Sequence, residues 1–173
     1  MHVLIATTGV LSPGPVVQFT ASLLGNGGRV TVTTVIEVPR SFLEDLSSDD
    51  WHPLSDADAP PDTGKQEALI TKYVEERGRR LTEPIVAALR AQGITSTSRF
   101  LDGNDPAVAI SGLAEDIDAD LVILGATRQI FDQAAWESVS ARIMIESGRP
   151  ILVVPPPQKT DQPEVAEELA DAG

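Results

Sequence analysis

The run Leu121-Val122-Ile123-Leu124-Gly125 is apolar without a break and is closed by glycine. A strand with apolar side chains on both faces must be covered on both sides, which restricts the chain to a parallel sheet sandwiched between helices. In open sheets of that kind ligands bind outside the carboxyl ends of the strands, so a ligand is expected at the loop that follows, residues 127–137. Residues 138–148 then place Val139, Ile143 and Met144 on one side at helical spacing and end on Gly148, suited to a left-handed C-cap. Pro150-Ile151-Leu152-Val153-Val154-Pro155 supplies a second all-apolar strand and completes a strand-helix-strand crossover.

The rest of the chain repeats this pattern. Val3 to Gly9 reads as a first strand and its turn, and a helix follows from Val16 to Leu24, delayed by Pro13-Gly14-Pro15 and stopped by Gly25. Residues 29–38 are rich in β-branched side chains and form a second strand. Periodicity is lost over 39–64, a long acidic insertion in which Trp51 is the expected anchor. Lys65 to Gln92 has helical spacing, with a kink or short break expected at Pro84. Thr95 to Leu101 is a strand poor in apolar residues and so is placed near an edge. Asp105 is positioned to cap a helix with Pro106 in its first turn, and that helix leads to the strand at Leu121. The reading is an α/β fold, a doubly wound sheet of five parallel strands with helices on both faces, over residues 1–156. Residues 157–173 have too little apolar content to hold a core position and are expected to be a disordered acidic tail.

Charge follows the same division. The formal net charge is −13, of which −7 falls in residues 41–64 and −4 in residues 157–173, so the remaining chain stands near −2. Nucleic acid is disfavoured as a partner, because the one basic cluster, Arg77, Arg79 and Arg80, reads as the solvated face of a helix. The chain has no Cys, which fits a reducing compartment. Its first residues lack a signal-like pattern and no apolar run is long enough to cross a bilayer, so a cytoplasmic location without membrane association is expected.

Four segments carry a resemblance to a known family: Phe100-Leu101-Asp102-Gly103-Asn104-Asp105-Pro106-Ala107, Ala119-Asp120-Leu121-Val122-Ile123-Leu124-Gly125, Glu137-Ser138-Val139-Ser140-Ala141-Arg142, and Arg149-Pro150-Ile151-Leu152-Val153-Val154-Pro155. Together they resemble the second half of a universal stress protein domain. That resemblance implies a Rossmann-like fold of the adenine-nucleotide α-hydrolase type and a dimer formed through the last strand. In one branch it also implies binding of ATP or cyclic AMP.

The ATP-binding branch has G-x-x-G, nine residues and G-(S/T) after the fourth strand, with an Asp at the end of the first. Here Gly125 matches, Arg128 replaces the second Gly, Glu137 replaces the third in a loop one residue short, and Ser138 matches. Thr8 stands where the Asp would hold the ribose, followed by a matching Gly9. The candidate, degenerate nucleotide site is Thr7, Thr8, Gly9, Val35, Gly125, Ala126, Arg128, Glu137, Ser138 and Val139. The candidate dimer interface is Ile151, Leu152, Val153 and Val154. A carboxylate at Glu137 opposes a phosphate, whereas the Arg128 guanidinium offers partial compensation.

Three functions are weighed. The first is a non-enzymatic, dimeric stress-response protein that acts through protein partners, with ATP binding lost or weakened and no cofactor. The second is a nucleotide binder whose modified site accepts AMP, cyclic AMP or ATP. The third, an enzyme, has no support in the residues: the strand ends carry no acid/base pair and no nucleophile with an adjacent base, and His2 and His52 do not make a metal site.

Overall fold

The computed structural model describes residues 1–25, 27–39, 41–43, 63–125 and 139–155. Its strands are β1 (His2–Ala6), β2 (Arg29–Ile36), β3 (Ser96–Asp102), β4 (Leu121–Gly125) and β5 (Ile151–Val154). Its helices are α1 (Pro13–Leu24), α2 (Thr63–Ala91), α3 (Pro106–Asp116) and α4 (Val139–Glu146). All strand pairs are parallel and the five strands lie in the order β3-β2-β1-β4-β5, which reverses between β1 and β4.

Alternation along the strands builds a core on each face of the sheet. Val3, Ile5, Val32 and Ile123 point to one side, where they meet Val16 and Val17 of α1 and Ile85 and Leu89 of α2. Leu4, Ala6, Val122 and Leu124 point to the other and meet Ala107, Ile110 and Leu113 of α3 and Ile143 of α4. The central strands β1 and β4 are therefore covered on both sides, which is what their unbroken apolar sequence requires. β3 lies at an edge and exposes Thr97, Ser98 and Arg99, in line with its poorer apolar content.

Several boundaries differ from the sequence expectation. α1 starts at Pro13 instead of Val16, because proline is well suited to a first turn whose N–H groups have no intrahelical partner anyway. α2 starts at Thr63 and runs unbroken through Pro84. Pro84 faces solvent, while Ile85 and Leu89 beside it are fully buried, so packing on the sheet outweighs the lost backbone hydrogen bond. Buried Thr82 donates to the Gly78 carbonyl at 3.0 Å. Within the expected insertion of 39–64, residues 41–43 are helical, and 63–64 belong to α2. The anchor at its start is Phe42, stacked on Tyr73 of α2 with ring centroids 4.9 Å apart. Trp51, the anchor expected from sequence, lies outside the described residues, as does the tail 157–173. In α4 only Ile143 of the expected apolar side is buried, and Met144 is 58 % exposed.

His2 sits at the amino end of the sheet. Its Nδ1 lies 3.0 Å from the Ile117 carbonyl and its Nε2 2.9 Å from Thr31 Oγ1, the environment of a core histidine. Among the described residues no group of three or more His, Cys, Asp or Glu is placed to hold a metal.

Candidate functional site

The reversal of strand order leaves a crevice at the carboxyl ends of β1 and β4, because the connections from these strands leave in opposite directions. A cavity of about 610 Å³ lies there. Strand ends supply Ala6, Thr7 and Thr8, Thr34 and Val35, Leu124 and Gly125, and Val154 and Pro155. The turn after β1 adds Val10, Leu11 and Ser12, and the N-terminal halves of two helices add Pro106 and Ile110 from α3 and Val139 and Ser140 from α4.

Of the residues singled out from sequence, Thr7, Thr8, Val35, Gly125 and Val139 are brought together around this cavity. Gly9 does not line it. Its φ of +90° turns the chain, its N–H donates to Thr7 Oγ1 at 3.0 Å, and an added Cβ would stand 2.9 Å from Leu81 Cδ2. Gly9 thus shapes the turn that presents Thr7 and Thr8. Ala126, Arg128, Glu137 and Ser138 lie outside the described residues.

Sequence reasoning missed the contributions of Thr34, Pro106, Ile110 and Ser140. Thr34 could have been found from its place near the carboxyl end of β2. The other three required knowing which helix starts converge on the crevice. Ser140 Oγ donates to the Gly125 carbonyl at 3.1 Å and so ties α4 to the end of β4. Thr34 is 1 % exposed, and its Oγ1 has no hydrogen-bond partner among the described residues.

Beside the cavity, Asp105 caps α3 by accepting from the N–H groups of Ala107 at 3.1 Å and Val108 at 3.3 Å. Arg142 Nη1 donates to both oxygens of Asp105, each at 2.9 Å. The Arg142 guanidinium is the main influence that holds the Asp105 carboxyl below the usual carboxylate range, with the two backbone N–H groups assisting. Hydrogen bonds to Asp105 and Glu146 in turn raise Arg142. None of the described residues that line the cavity is Asp, Glu, His, Lys or Arg, so this wall offers apolar surface, hydroxyls and backbone groups.

The universal stress protein family model matches residues 1–155. The chain belongs to that family. Three solved structures extend the likeness at the level of the fold. Hypothetical protein MJ0577 is 18 % identical, with a TM-score of 0.60 over 91 % of this chain and 96 % of that one. A universal stress protein in complex with cAMP is 18 % identical, with a TM-score of 0.53 over 91 % and 98 %. A universal stress protein family protein from Arabidopsis thaliana with AMP bound is 15 % identical, with a TM-score of 0.54 over 91 % and 92 %. No curated protein sequence matches the chain. Among the described residues no helix is long and apolar enough to cross a membrane.

Proposed function

We propose that this universal-stress-type protein acts as a homodimer through contacts with protein partners, without catalysing a reaction, and that its ATP binding is weakened relative to the family's ATP-binding branch. The observation that carries this reading is the cavity wall. It keeps the position of a ligand crevice, and Thr8 lines it where that branch has Asp. In the sequence of the following loop, Glu137 adds a negative charge where the branch has glycine. Two like unit charges in close contact at an effective dielectric near 20 repel by on the order of 4 kcal/mol before salt and solvent screen them. Arg128 offsets part of this, but a side chain does not restore the close amide approach that glycine allows.

The dimer is proposed through Ile151, Leu152, Val153 and Val154. β5 is an edge strand, and Ile151 to Val153 are half-buried within the single chain. An uncharged apolar edge is a liability unless something covers it.

The second reading is a modified site that accepts AMP or cyclic AMP. Its support is that α4 begins at the cavity, where one phosphate needs less room and less charge compensation than three. Relatives of the same fold carry AMP or cAMP in their structures.

The experiment is a restoration series. Glu137→Gly alone is expected to improve ATP affinity modestly. Thr8→Asp, Arg128→Gly and Glu137→Gly together, with one residue added to the loop, should improve it much more. Equal affinity across the series would remove the reading that these positions weaken the site.

A further inference from the structure

One ion pair beside the cavity joins two of its walls. Asp105 opens α3, which supplies Pro106 and Ile110 to the lining, while Arg142 lies in α4, which supplies Val139 and Ser140. Arg142 is itself oriented by its own helix, since its Nε donates to Glu146 Oε1 at 3.1 Å while Nη1 spans both oxygens of Asp105. α4 is eight residues long, buries Ile143, and is tied to β4 through the Ser140 hydroxyl. A helix that short is not stable by itself in water, so its position depends on such ties.

We propose that Arg142 is a positioning residue of the cavity: through Asp105 it holds the start of α4 at the separation from α3 that keeps the space between them open to a ligand. The proposal rests on the cavity being the binding site. Both partners are partly exposed, at 36 % and 44 % of their side-chain surface, so the pair is screened by salt. Its loss is therefore expected to loosen α4 locally and to leave the sheet folded.

Amide hydrogen exchange followed by mass spectrometry on the full chain tests this. Arg142→Gln removes the cation. Asp105→Ser removes the carboxylate but keeps a side-chain oxygen able to cap α3. Each is expected to speed exchange over residues 139–146 by about two- to five-fold, the range that follows from a half-exposed pair. The double variant should go no further, because both changes remove one interaction. Arg142→Lys should recover part of the protection, since an ammonium keeps the charge but lacks the planar fork. Exchange in α1 and α2 should not change. With AMP as the calorimetric probe, affinity should fall by a similar factor in both single variants.

Unchanged exchange over 139–146 in Arg142→Gln would overturn the proposal. So would equal acceleration in α1, α2 and α4, which would mean that the pair contributes only to global stability. If AMP fails to bind the unsubstituted protein, the nucleotide reading of the cavity falls, and the exchange pattern alone decides the role of Arg142.

Discussion

Gly78 sits in the middle of α2, where glycine ordinarily costs a helix roughly 1 kcal/mol relative to alanine. The compensation is close approach to β3. A Cβ at this position would lie 2.5 Å from ring carbons of Phe100, a distance that side chains do not tolerate. Gly78→Ala should therefore destabilise the protein despite the gain in helix propensity, because overpacking costs about 1 to 3 kcal/mol. Combining it with Phe100→Leu should give less than the sum of the two single effects, as a denaturant series would show. A rise in stability for Gly78→Ala alone would mean that α2 and β3 do not meet there. At this scale the legible residues were those next to strand ends, such as Thr7, Thr8, Val35 and Gly125, since an apolar run announces its own terminus. The contact between Gly78 and Phe100, the stack of Phe42 on Tyr73 and the tie from Ser140 to Gly125 were not legible. Each joins residues whose separation in the chain carries no pattern.

The five strands were legible as elements, and so was the edge position of β3, because burial on both faces, burial on one face and exposure leave different patterns. Helix starts were less so. Periodicity begins only where side chains reach the core, and α1 and α2 both begin before that point, with proline in the first turn of α1. The pairing of α3 with α4 appears only in three dimensions and has a pH signature. The folded-state pKa of Asp105 lies below its ordinary value of 3.8. The contribution of the pair is therefore full above that value and is lost as pH falls through the lower, folded value. The difference in amide protection over residues 139–146 between the unsubstituted protein and Arg142→Gln should be largest at neutral pH and shrink as the solution is acidified below the carboxylate range. A difference that stays constant to low pH would show that Asp105 and Arg142 are not paired in solution.

For the whole molecule, the proposed assembly and the proposed site lie close together. β5 brings Val154 to the cavity wall and also forms one edge of the sheet, and α4, which leads into it, leaves Met144 58 % and Ile145 68 % exposed. Light scattering at tens of micromolar should give the mass of a dimer, and Val153→Lys should shift it toward the monomer, since the new charge would be buried at the partner strand. A monomer for the unsubstituted chain would remove the dimer from the account. The function was less legible than the fold for a physical reason. A parallel α/β sheet requires apolar strands whatever it binds, whereas the ligand is chosen by the few side chains at the crevice, of which Thr8 is one among the described residues. The most direct measurement is calorimetric titration of the full, unsubstituted chain with ATP. The account predicts little or no heat of binding at micromolar protein and nucleotide, and saturable binding in the variant with the restored motif. Saturation of the unsubstituted protein by micromolar ATP at one nucleotide per chain would contradict it.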